Sequence, residues 1–326
     1  MSTTRPVARK HHYIPQCYLR GFVRYSEKPK LAVIDMGRGK AFSASPENVA
    51  AERDFHAISV KGLPTDALEQ EFSKFEAELA PAINRIVNVR SVKDRNDLNC
   101  ILNFIALLAV KSPYRRAQNE EIAKDMVRHA AELAVADETV WKDHLRQAQI
   151  DGKLVDILPQ DYRSLHDFVA RGDYDLQMAR EWHLGVELNA LKKMVRILAA
   201  RRWSTLLAPP KSKGFITSDH PVCLTWSDEP PHTFYPPGHA LTGTSVLFPL
   251  HKHLALLGSF EGPSHSFELG ADKVAVVNGE IIRHANKQIY GQVFDFEYQF
   301  AKTDKVRQGR ELLNDRFVLN GRTRRR

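Results

Sequence analysis

The order of patterns along the chain predicts an α+β fold. An N-terminal β-hairpin is expected to join a C-terminal, mostly antiparallel sheet, with a large helical block inserted between them. Three observations predict it. Residues 31–35 and 41–45 are strand-like runs on either side of the Gly-rich turn at 36–40. From about residue 65 to 202, apolar residues recur at helical spacing. From about 203 to 302, short β-type runs are separated by Pro, Gly and Ser clusters such as Pro209-Pro210, Pro230-Pro231 and Pro236-Pro237-Gly238. Residues 1–302 are therefore expected to form one domain, and 303–326 a basic C-terminal tail.

In chain order, residues 1–9 read as disordered, with Pro6 opposing an early helix. The next stretch, Lys10-His11-His12-Tyr13-Ile14-Pro15-Gln16-Cys17-Tyr18-Leu19-Arg20-Gly21-Phe22, combines two imidazoles, two phenols, an amide, a thiol and two basic side chains besides. No ordinary core strand needs that mixture. Its Ile14-Pro15 step forces an extended or turn conformation. Residues 16–22 then suit one or two helical turns ending at Gly21, with Tyr18, Leu19 and Phe22 inward and Arg20 outward. The Gly-x-Gly-Lys of the following hairpin turn lacks the spacing of a phosphate loop. Residues 52–58 read as another short strand.

A long helix is expected after Gly62-Leu63-Pro64, with Thr65 as N-cap and Pro81 as a kink. Leu68, Phe72, Phe75, Leu79, Ile83 and Ile86 form its apolar stripe. Glu69 and Glu76, seven residues apart, share one side at the border of that stripe. A second helix spans about 95–111, a more exposed one 118–149, and a further one 174–200. In the β-rich part the runs lie at 203–207, 215–217, 222–226, 245–248, 254–257, 274–277 and 294–300, with a helix at 278–290.

Two later polar groups stand out. Thr217-Ser218-Asp219-His220-Pro221 lies between apolar runs, where polar side chains either hold a site or make an ST or Asx turn. His251-Lys252-His253 is a His-x-His pair with no third ligand at matching spacing, and reads as surface histidines. His11 and His12, being adjacent, point to opposite sides of an extended segment. There is no GxSxG, HExxH, EF-hand loop or GxGxxG, so the common hydrolase, zincin, calcium and dinucleotide readings lack support.

The net charge of +8 is unevenly placed. Residues 1–30 carry +6 and residues 303–326 carry +5, leaving −3 for the rest. This is a mildly acidic body with two basic ends. The Arg-rich terminus at 322–326 reads as a frayed, solvated end. Cys17, Cys100 and Cys223 form no paired motif, which predicts a reducing, cytoplasmic location. No secretory signal is expected, and the longest apolar run, 98–110, is too short to span a bilayer. Oligomeric state is not legible.

His11-His12-Tyr13-Ile14-Pro15-Gln16, followed by Tyr18-Leu19-Arg20 and Phe22, resembles the start of the bacterial family called domain of unknown function 4238. The resemblance continues through Asn48-Val49-Ala50, Arg53-Asp54-Phe55, Glu69, Glu76, Phe215-Ile216-Thr217-Ser218-Asp219, Phe248-Pro249-Leu250, Asn278, Ala285 and Tyr290. It covers about residues 10–292. The chain departs from the pattern at Cys17, where an aromatic is usual, at His220 for Asn, and at His251-Lys252 for Ser-Pro. The family often has Arg near Lys111. The resemblance thus selects His11, His12, Gln16, Asp54, Glu69, Glu76, Ser218 and Asp219, and implies no activity.

Chemistry must come from the side chains. An enzyme, most simply a nuclease-like hydrolase of phosphodiesters, would use His11 or His12 as base or metal ligand. Asp219 with Glu69 or Glu76 would be the ligand or orienting carboxylate, and Gln16, Asp54, Ser218 and Arg20 binding groups. A divalent metal would be its cofactor, and the basic ends would attract nucleic acid. The alternatives are a non-catalytic interaction protein in which the His-His-Tyr-Ile-Pro-Gln segment is structural, and binding of a small ligand in the same pocket.

Overall fold

The structure, a computed structural model, describes residues 10–24, 28–59, 62–152, 161–227, 235–300 and 305–315. The expected disorder at 1–9, the Pro230-Pro231 cluster and the Arg-rich end at 322–326 lie outside these residues. The fold is α+β. Strand β1 (Lys10–His12) leads into the single helical turn α1 (Gln16–Leu19), which a 3-10 turn extends to Phe22. Strands β2 (Leu31–Asp35) and β3 (Lys40–Ala44) form the expected hairpin, and β4 (Ala51–Arg53) follows. The helices are α2 (Ala67–Val89), α3 (Arg95–Val110), α4 (Pro113–Ala134), α5 (Glu138–Ile150), α6 (Tyr162–Arg171) and α7 (Arg180–Ala199). Then come β5 (Arg202–Leu207), β6 (Thr217–Ser218), β7 (Cys223–Trp226), β8 (Thr244–His251), β9 (Leu254–Ser259) and β10 (Ser266–Glu268). Helix α8 (Ala271–His284) and strands β11 (Gln288–Gly291), β12 (Glu297–Tyr298) and β13 (Arg307–Gln308) complete the order.

The early hairpin does join late strands. One antiparallel sheet runs β3-β2-β11-β6. Strand β2 is buried at all five residues, because it lies inside this sheet with strands on both sides. The other large sheet runs β10-β5-β9-β8-β7, antiparallel except for the β10–β5 pair. Two compact units are distinguished: residues 1–112 with 185–326, and residues 113–184. The second unit holds α4, α5 and α6. No helix among the described residues is long and apolar enough to cross a membrane.

Several local expectations need correction. Residues 274–277 are helical, not a strand. Their β-branched run satisfies strand composition, but Val274, Ala275, Asn278, Ile281 and Ile282 are buried at helical spacing on α8. The run at 118–149 is two helices divided near Asp137, whose carboxylate accepts the amides of Thr139 and Val140 and caps α5. The helix expected from 174 begins at Arg180, and α6 was not foreseen. The strand expected over 52–58 stops at Arg53. Within the described part of residues 303–326, β13 pairs with β12, and Leu312 is buried.

The N-terminal motif is locked to the core by Tyr18, which is fully buried. Its ring stacks on Phe248 at 5.5 Å and meets Phe104 and Phe22 edge-on. Its hydroxyl donates to the Pro249 carbonyl and pairs with Thr217 Oγ1, both at 2.6 Å. Leu19 and Phe22 are also fully buried, and Arg20 is exposed, as their spacing predicts. On α8, buried Asn278 donates to Gly214 O and Glu297 O and accepts from Ile216 N. Next to it, Gly279 lies so close to β12 that an added Cβ would stand 2.0 Å from Gln299 O. Gly279→Ala is therefore expected to cost about 3 kcal/mol or more, because backbone cannot retreat as a side chain would. The shift in the urea unfolding midpoint measures it.

Candidate functional site

The site is built on a short ribbon. β1 pairs with β4 in the register His11↔Glu52 and His12↔Ala51. Directly after β4, Asp54 takes a left-handed backbone (φ 56°), a conformation that Asp tolerates better than most residues. The turn closes with Ala57 N–H donating to Asp54 O. It brings His56 back over β1, where its ring stacks on His11 at 5.3 Å and 13°. The His56 amide donates to His11 Nδ1 at 2.8 Å.

His56 is the hub. Its Nδ1 lies 2.5 Å from Glu69 Oε2 on the first turn of α2, and its Nε2 lies 2.9 Å from Lys111 Nζ at the end of α3. Only one protonation pattern of a neutral ring satisfies both: Nδ1–H donates to Glu69 and Nε2 accepts from the ammonium. His11, whose Nδ1 accepts an amide proton, carries its own proton on Nε2 when neutral. Lys111, 4% exposed, also sits 3.6 Å above the Phe72 ring, a cation–π contact. His11 and His56 are each 1% exposed.

Burial holds His56 down to about pKa 4, and Lys111 adds to this while Glu69 opposes it. Burial works against the charge of Glu69, but the His56 hydrogen bond and the nearby His11 and Lys111 override it, so the net shift is downward. Glu76, two turns further along the same side of α2, goes the other way. Burial and the charge of Glu69 raise it, against Lys111 and Arg20. Two carboxyls on one helix side are thus shifted in opposite directions, Glu69 toward the ionised form and Glu76 toward the protonated one.

His11, His56 and Glu69 offer ligand atoms within 4.8 Å of one another. Two histidines and a carboxylate are a donor set used by catalytic zinc. Here the nitrogen lone pairs are already engaged, by the His56 amide at His11 and by Lys111 at His56. A metal ion would have to displace one of these donors. Lys111 is the cation that the donor set now holds.

The other residues singled out from the sequence are dispersed in role. His12 lies 3.2 Å from Glu47 O through Nε2 and 3.4 Å from Gln16 Nε2 through Nδ1, and burial lowers its pKa. Asp54 is the turn residue, with Arg53 at 3.6 Å. Asp219 accepts three backbone N–H groups, from Asn286, Lys287 and Gln288, at 2.7–3.1 Å. It therefore fixes the link between α8 and β11. Ser218 Oγ accepts the His220 amide, the turn reading of that motif. Asp219 still reaches the N-terminal motif electrostatically: after burial, its charge is the main cause that raises the Tyr13 phenol. His251 is not at the surface. It is 8% exposed, its ring against Gly21, and burial holds it down to about pKa 4.

Sequence reasoning missed His56 and Lys111. The His56 imidazole looked like part of a strand, and Lys111 like the polar end of an apolar helix. The available signal was Lys111 itself, a lone charge closing the run at 98–110 where the family often has Arg.

Residues 10–293 match the model of a family described as protein of unknown function (DUF4238). No curated protein and no solved structure matches.

Because buried His56 is neutral with a folded pKa of about 4 against an ordinary 6.5, the unfolded chain binds more protons between those values. Its contribution to stability is present above pH 6.5 and is lost as pH falls toward 4. His56→Gln keeps a donor and an acceptor but cannot titrate. Its stability should fall less steeply over that window, read as urea midpoints at a series of pH values. In contrast, Asp219→Ala should cost about 2 kcal/mol, since it leaves three part-buried amides without their acceptor. Thermal unfolding measures that loss.

Proposed function

The chain belongs to the DUF4238 family, and we propose that it is a hydrolase of phosphodiesters, nuclease-like in chemistry, centred on His56. The observation that carries this is the hydrogen-bonded series Glu69–His56–Lys111 beside Glu76. A carboxylate orients an imidazole, the imidazole carries a fixed lone pair, and a cation sits on that lone pair. When an anionic phosphoryl group enters, Lys111 turns from His56 Nε2 to a phosphoryl oxygen. The freed Nε2 takes a proton from the attacking water, and Glu69 stabilises the imidazolium that forms. His11 donates from Nε2 to a second oxygen. Glu76, whose carboxyl is shifted by burial and by Glu69 toward holding its proton, gives that proton to the leaving oxygen. Cys17 is a poor nucleophile here, since burial pushes its thiol up. Water is the attacking group. Arg20, Gln16 and Lys10 supply positive charge and donors around the entrance, and a nucleic acid is the macromolecular form of such a substrate.

A second reading keeps its place because His11, His56 and Lys111 are each at most 4% exposed. The same network then serves to plug the N-terminal motif onto α2 and α3. Glu76 separates the two. Its raised pKa means that its ionised form destabilises the folded state above the ordinary carboxylate range. Glu76→Gln should leave melting temperature unchanged or slightly higher at neutral pH.

With bis(p-nitrophenyl) phosphate and single-stranded DNA as probes, and divalent cations both added and chelated, the intact chain should show turnover. The rate should rise as His56 is freed of its proton above about pH 4 and fall as Glu76 ionises. Glu76→Gln should lower kcat by about 10²-fold or more. No turnover in any of these conditions, or an unaltered kcat in Glu76→Gln, sinks the hydrolase reading.

A further inference from the structure

The two basic segments of the chain meet at one place. A cavity of about 560 Å³ is lined by Arg24, Lys28 and Lys30 from the N-terminal segment and by Arg310 from the C-terminal one. Leu31 and Ala32 of β2, both buried, and Ser43 of β3, in register with Ala32, border it. The remaining wall is the chain just after β11, where Val293 and Phe294 supply apolar surface. The Arg24 amide bonded to Lys30 O at 3.3 Å fixes the two ends of the basic turn close together. The Arg310 guanidinium carbon lies 4.7 Å from the centre of the Phe294 ring, a cation–π contact.

The charge of this cavity is one-sided. Its one carboxylate, Asp295, is held by Lys213, whose hydrogen bond keeps it below the usual carboxylate range. Among the described residues, Arg24, Lys30 and Arg310 take part in no ion pair. Four basic side chains thus line an opening whose apolar wall is Val293 and Phe294. A volume in the range of small-molecule sites, cationic on one side and apolar on the other, suits a ligand with a phosphate at one end and a flat ring at the other.

The geometry points to a binding site for a phosphate-bearing small molecule of mononucleotide size, separate from the His56 cluster. The phosphate is held by Lys30 and Arg310, and the ring rests on Val293 and Phe294. This stands on the cavity alone and does not depend on hydrolase activity.

The test is calorimetric titration of the full chain with adenosine 5′-monophosphate, with adenosine and inorganic phosphate as separate arms, at about 50 mM and then about 200 mM salt. Saturable binding of the nucleotide is expected, weaker at the higher salt. Adenosine should bind at least about tenfold more weakly. Inorganic phosphate should compete with the nucleotide. Arg310→Glu should weaken the nucleotide by about tenfold or more. If that variant fails to fold, Lys30→Glu, at an exposed residue, carries the same expectation. The assignment is overturned if no saturable binding is seen up to about 1 mM nucleotide. It is equally overturned if adenosine binds as tightly as the nucleotide, if phosphate does not compete, or if the folded charge-reversed variant binds as the parent does.

Discussion

The hydroxyl of Tyr18 is the point on which the rest of the arrangement depends. It sits at the centre of an aromatic cluster, where an unsatisfied polar group is costly. It is satisfied by two partners from distant parts of the chain, Thr217 and Pro249. The ring therefore cannot shift without breaking a bond to β6 or β8. Because α1 is a single turn, fixing Tyr18 also fixes the four residues before it and, through them, the position of β1. His11 is seven residues away from this anchor and inherits its placement.

The His56 cluster uses that placement to gather ionisable groups from four elements. Each neighbour limits what the next can be. The amide at His11 decides which nitrogen carries a proton, Glu69 and Lys111 decide the same for His56, and the charge of Glu69 adds to burial in raising Glu76. Such mutual constraint is common to catalytic centres and to well-satisfied structural networks. What distinguishes this one is that Glu69 and Glu76, on one side of the same helix, are shifted in opposite directions.

Much of the fold was legible because it rests on period. The stripe of α2 and α3, the inward set Tyr18, Leu19 and Phe22, and the hairpin that finds its partner late in the chain all follow from spacing. The helix at 271–284 was misread where Val274, Val276 and Val277 weighed composition above spacing. The site was legible only in part. Glu69 and His11 were singled out on chemistry, but they meet through His56, and its position depends on one left-handed residue, Asp54. Neighbouring residue types do not reveal that turn. Asp219 was singled out for its carboxylate, yet the amides that occupy it lie 67 to 69 residues further on, a distance no local pattern reports.

The interior position of β2 has a consequence for the order of assembly. Its two neighbours are β3, only a turn away, and β11, whose residues come some 250 positions later. As the chain leaves the ribosome, β2, apolar except for Asp35, has one edge unpaired until β11 has been made. Pairings of such sequence separation are slow to form, and an open edge invites pairing with another chain. Newly made protein is therefore most exposed to aggregation at the same N-terminal region that carries the His56 cluster. Chaperone capture of the nascent chain would be centred there, and late synthesis of β11 is what ends the exposure.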